Sequence, residues 1–224
     1  MAFLKGQFSA APEPGRYGAL LIVLIVSYLL TAFIHGRWIE AVQIVLFTVA
    51  MLLALRSAAI SRRVVRVVLL VAIIGLPVMA FLSLSMATGN AGSGTADIWT
   101  GLVLLAAAAM IVHRVLTFGT VTLQSIYGAF SAYLVIGLMF AAFFAAIYHF
   151  SGDQFFAAGE KANTQTFQYF SFTTLTTLGY GDYTAGYSSG QAVAVMEALT
   201  GQIFLATLVA RLVASFRSTR EGQG

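Results

Sequence analysis

The stretch "FSFTTLTTLGYGDYTAG", Phe170 to Gly186, decides how this chain is read. It places five threonines between Thr173 and Thr184, with two glycines and an aspartate, in a chain that is 59% hydrophobic and 9% charged. A soluble domain carries roughly 25% charged residues, so lipid takes the place of water around most of this outer surface. Within lipid, non-helical backbone is tolerated only where it is buried in protein or lines a watery path. Residues Gln165 to Thr177 suffice for a helix of about three turns, too short to cross a bilayer. Gly179 and Gly181 favour backbone conformations closed to other residues. A half-crossing, re-entrant helix followed by an extended return is the simplest geometry that fits.

Working outward, six segments approach the roughly 20 apolar residues that a membrane span requires. They are 17–35, 38–55, 64–86, 97–113, 121–149 and 190–214, with a kink expected at Gly75–Pro77. The run "ATGNAGSGTAD", Ala87 to Asp97, predicts a flexible glycine-rich loop. The expected fold is therefore an all-α membrane protein of six transmembrane helices plus the re-entrant helix and its loop. Residues 1–16 form a cytoplasmic segment, 17–116 a four-helix peripheral domain, 117–216 a pore domain and 217–224 a short cytoplasmic tail. That tail leaves no room in this sequence for a sensing module.

Charge sets the orientation. Lys5, Arg16, Arg56, Arg62, Arg63, Arg66, Arg114, Arg211, Arg217 and Arg220 fall on one side of a six-span chain, and only Arg37 and Lys161 on the other. Basic residues stay on the cytoplasmic side, so both termini are expected there. This placement also argues against nucleic acid as the partner for the net charge of +4. Glu40, Asp97, Asp153, Glu160 and Asp182 collect on the outer side, where they either raise local cation concentration or have no role. Arg62, Arg63 and Arg66 suit an anionic lipid surface. There is no cysteine, hence no disulfide or thiolate site.

"TTLGYGD", Thr176 to Asp182, resembles the signature of tetrameric potassium channels, over a region covering about 121–216. Rings of backbone carbonyls in such a filter replace an ion's hydration shell. The resemblance implies a homotetrameric pore in a plasma membrane of bacterial type, surrounded by membrane lipid. It also implies K+ as the permeant ion, with no other cofactor. Carbonyls of Thr177, Leu178, Gly179 and Tyr180, continuing to Gly181, with the Thr177 hydroxyl, would replace the ion's hydration water. Leu178 stands where valine or isoleucine is more usual.

The same resemblance makes Asp182 a filter support, hydrogen-bonded to the preceding helix, where Tyr169 and Thr173 occupy the partner positions. Tyr169 is the expected partner; the alternative is a solvated aspartate. Glu197 is the one acid inside a predicted span, and such a group is functional by default. It is expected behind the short helix, bonded to its threonines, with a cavity-facing ring as the rival. Gly201 matches the gating-hinge position, or is a close-packing site. Gln202 and Thr207 either line the cavity or pack between helices.

The fourth span contains one arginine, Arg114, and so lacks the repeated charges that a strong voltage sensor moves across the field. His35, His113 and His149 are isolated near span ends, and no residue is assigned a catalytic role. A weakly selective monovalent cation channel is the nearest alternative. A secondary transporter would need paired helix interruptions in two halves, and one is seen.

Overall fold

The computed structural model describes residues 16–33, 90–117, 122–151 and 154–221, with the single positions 46, 49, 50 and 75. Among these, the chain is helical apart from turns, connecting segments and one antiparallel bridge between Phe156 and Ala185. The helices are α1 (Arg16–Phe33), α2 (Asn90–Thr117), α3 (Leu123–Ser151), α4 (Thr164–Leu175) and α5 (Ser188–Glu221). Apart from the single positions, the expected spans 38–55 and 64–86 lie outside the described residues. Among the described residues, three segments are long and apolar enough to cross a membrane: Gly92–Thr117, Leu123–Ser151 and Ser188–Arg211. The apolar helix Tyr17–Thr31 is shorter.

The expected loop over 87–97 is corrected by the structure, which begins α2 at Asn90. Glycine disfavours a helix interior by about 1 kcal/mol relative to alanine, so propensity alone would not put a helix here. Packing against α3 does. Gly94, Gly101 and Ala108 recur every seventh residue, close to two helical turns, and share one face. A Cβ on Gly94 would come within 3.0 Å of the Phe150 ring, and one on Gly101 within 2.4 Å of Phe143. The seam of small residues admits phenylalanines from α3. At the opposite end the roles reverse, and Val115 of α2 packs over Gly128 of α3.

Among the described residues, α3 touches all four other helices. Its buried face includes Ala129, Ala132, Val135, Ile136 and Phe144. Helix α5 contrasts with it. Val195, Met196, Leu199, Ile203, Val209 and Val213 all remain exposed on the single chain.

Gly101→Val should therefore force Phe143 from its place and cost about 1–3 kcal/mol, the usual range for overpacking. The measurement is the thermal midpoint of the solubilised protein followed by tryptophan fluorescence. An unchanged midpoint would count against the α2–α3 seam.

Candidate functional site

The site is built on α4, a helix whose own residues are poor helix formers. Its start is secured locally. Asn163 accepts a hydrogen bond from the Thr166 amide at 2.9 Å, while Thr166 Oγ1 accepts one from the Asn163 amide at 2.9 Å. This reciprocal box satisfies two donors at the helix end. Its body is held by aromatic packing. Phe167 and Phe170 meet Phe155 and Phe156 at centroid distances from 5.2 to 6.0 Å, and Phe144 closes on Phe170 at 4.9 Å. Phe155 and Phe156 also anchor the far side of the site. Ala157 donates to Thr184 O and Gly186 to Phe155 O, each at 2.9 Å.

Beyond the helix, the backbone alternates in hand. Thr177, Gly179 and Gly181 have φ of +57°, +49° and +80°, and the residues between them do not share the positive φ. Alternation of this kind turns successive carbonyls toward one side. The two glycines supply it at little steric cost, but Thr177 does not. A β-branched residue held in the left-handed region costs on the order of 1–3 kcal/mol, and such strain concentrates at functional sites. The compensation is visible: the Thr177 amide donates to Thr174 O at 3.0 Å, Leu178 to Thr173 O at 2.8 Å and Gly179 to Thr173 O at 3.2 Å. Among the described residues, no protein donor reaches the carbonyls of Thr177 to Gly181.

The same segment is open to its surroundings. Leu178 is 53% exposed and Tyr180 69%. A Cβ added to Gly179 or Gly181 would meet nothing within 4 Å. Glycine is required there by conformation, and contacts within the chain impose nothing further.

Each support residue has a definite place. The Tyr169 hydroxyl donates to Asp182 Oδ2 at 2.8 Å, and the Tyr183 amide donates to Oδ1 at 3.1 Å. The bond to this carboxylate pushes the Tyr169 phenol up to about 12 from 10.0. A raised folded value means that its contribution to stability is complete below about pH 10 and is lost as pH rises through about 12. Thr173 departs from the expected role. Its hydroxyl turns back to Phe170 O at 3.0 Å, and it is the Thr173 carbonyl that holds the filter-like segment.

Glu197 of α5 is fully buried, with its carboxyl against α4. Its partner is Ser171, not the threonines expected from the sequence. Ser171 Oγ lies 2.5 Å from Glu197 Oε1 and 2.6 Å from Gly137 O, so one hydroxyl joins α3, α4 and α5. Thr173 and the capping Thr176 instead bond back to Phe170 O and Phe172 O of α4, because their hydroxyls reach the preceding turn. Gly201 packs against the end of α4, where a Cβ would fall 2.3 Å from Leu175 O. That carbonyl also accepts the Tyr133 hydroxyl at 3.1 Å. Helix α5 runs through Gly201 unbroken. Gln202 Nε2 reaches Thr177 Oγ1 at 3.4 Å, and Thr207 bonds back to Ile203 O.

Sequence reasoning missed Ser171, Tyr133, the Phe155–Phe156 anchor and the left-handed Thr177. A serine amid aromatic residues in "YFSF" was the available signal for the first. Among the described residues, no group of three His, Cys, Asp or Glu side chains could hold a metal.

Residues 135–218 match the family described as "Ion channel". The apolar helices and this match support a membrane location. No curated protein and no solved structure matches the chain.

Ser171→Ala should remove the one hydroxyl that bridges the buried Glu197 carboxyl and Gly137 O, at a cost of about 1–3 kcal/mol. Thermal unfolding of the solubilised protein is the check. A midpoint equal to wild type would show that the serine bridge contributes nothing.

Proposed function

We propose that the chain is one subunit of a homotetrameric, potassium-selective channel that conducts K+ passively. The observation that carries this reading is the row of carbonyls from Thr177 to Gly181, unclaimed by protein donors while the neighbouring amides are tied back to α4. A potassium ion entering a narrow pore loses hydration water and needs oxygens of similar strength in its place. Left-handed residues at alternate positions supply such a row from backbone alone. Together with the Thr177 hydroxyl, the carbonyls of Thr177, Leu178, Gly179 and Tyr180 are the ion ligands, and Gly181 completes the turn outward.

One chain offers one wall. Four walls around an axis enclose the ion, and the exposed apolar face of α5 supports such assembly because it otherwise lacks protein cover. In this arrangement α4 is a re-entrant pore helix. Its C-terminal end carries partial negative charge that favours a cation on the axis. Asp182, Tyr169 and the backbone of Thr173 brace the filter, and Glu197 braces the pore helix through Ser171. Helix α2 has Arg114 as its one basic residue, which supports a pore without strong voltage gating. These are positioning and coordinating roles, with no bond made or broken.

The test is the reversal potential of the purified protein in planar bilayers under opposed potassium and sodium gradients. Reversal near the potassium equilibrium potential, with block by barium, is the expected result. Reversal near zero with both ions carrying current would replace this reading with a weakly selective monovalent cation channel. Gly179→Ala, strained at φ +49°, is expected to abolish potassium current while the protein still assembles, measured as bilayer conductance beside native mass. A conducting, potassium-selective Gly179→Ala channel would remove the backbone argument.

A further inference from the structure

Four contacts outside the filter join the peripheral helices to the pore module of the same chain. At one end, Gln165 of α4 donates through Nε2 to Thr31 O of α1 at 2.6 Å. Beside it the Tyr28 ring meets Phe172 edge-on at 4.9 Å, and Phe172 itself packs over Gly137 of α3. Along the middle, α2 lies against α3, and His149 Nδ1 comes 2.7 Å from Asp97 Oδ2. At the other end, the Arg211 guanidinium of α5 donates to Val115 O in the last turn of α2. Carbonyls at a helix C-terminus lack intrahelical donors and sit at the negative end of the dipole, so a cation there is well placed.

The connection reinforces these contacts. Only residues 118–122 separate α2 from α3, a reach of at most about 20 Å when fully extended. The two helices fold back on each other as a hairpin, with Phe150 and Phe143 seated in the glycines of α2. A connection spent on that hairpin has no length left to carry α2 across to another subunit.

We infer that each subunit's peripheral helices clasp its own pore module, α1 on the pore helix and α2 on α3 and the inner end of α5, rather than that of a neighbour in the ring. This rests on the tetrameric reading above. In consequence, α1 bears on the filter of its own chain through Gln165 and Phe172. The surface left for neighbouring subunits is then the exposed face of α5 together with the filter segment.

The chain contains no cysteine, so introduced pairs report without background. Two full-length variants are tested, Thr31→Cys with Gln165→Cys and Asp97→Cys with His149→Cys. Each is treated in membranes with a short thiol-reactive crosslinker, then assayed for native mass, denaturing-gel mobility and free thiol. The expected result is a four-copy native particle whose denatured chains run as monomers and have lost both free thiols. A ladder of covalent dimers to tetramers overturns the inference, because it places the partners on different chains. Retention of both thiols in both variants also overturns it, since the contacts are then absent. A native mass other than four copies removes the tetrameric reading and the inference with it. A potassium-unselective particle that still crosslinks within chains leaves the inference standing and removes only the selectivity.

Discussion

The structure depends on how a strained threonine is held. Thr177 sits in the left-handed region at the point where α4 ends, and three consecutive amides from Thr177 to Gly179 bond back to the last carbonyls of that helix. Those bonds do two things together. They satisfy donors that would be costly to leave bare in a low-dielectric setting, and they use the donor side of each peptide. The acceptor side is then free for a ligand. A segment whose amides and carbonyls were both paired within the chain could not coordinate a cation with its backbone.

Everything around this segment limits movement of α4. The helix has little propensity of its own, so its position comes from the aromatic cluster of Phe144, Phe155, Phe156, Phe167 and Phe170 on one side. Aromatic pairs of this kind contribute about 0.5–1.5 kcal/mol each beyond area burial. On the other sides the braces are polar and few: Ser171 with Glu197 and Gly137, Tyr133 with Leu175, and Tyr169 with Asp182. In a membrane such polar contacts act between helices that gain no hydrophobic advantage over lipid. Small residues do the complementary work. Gly137 admits Phe172 and Gly201 admits the carbonyl end of α4, so α4 can seat between α3 and α5.

The division of labour within residues 135–218 follows. Backbone atoms face the proposed ion path, whereas side chains hold that backbone in place. This explains why a leucine at position 178 is compatible with the geometry: its amide is engaged with Thr173 O and its carbonyl carries no protein contact, whatever the side chain. It also separates two roles that glycine plays here. At Gly179 and Gly181 the requirement is the sign of φ, with open space around them. At Gly201 the requirement is room, inside an ordinary helix.

Much of this was legible in the amino-acid sequence. Low charge with long apolar runs dictates membrane helices, because those compositions cannot be solvated by water. The sequence "TLGYGD" dictates non-helical backbone after a short helix, since glycine at alternate positions permits what other residues resist. The pairing of Tyr169 with Asp182 came from the resemblance to potassium channels, and the structure has that bond. The helix over Asn90–Asp97 could not be read from the sequence, because its glycines disfavour a helix locally and become useful only when phenylalanines of α3 fill the space they leave. Nor could Ser171 be chosen over its neighbouring threonines as the partner of Glu197. That choice depends on which face of α4 meets α5, a rotation set by the aromatic cluster and by Gly137, both distant in the chain. Local backbone preference is written residue by residue, whereas the pairing of buried polar groups is decided by packing between helices that no local pattern encodes.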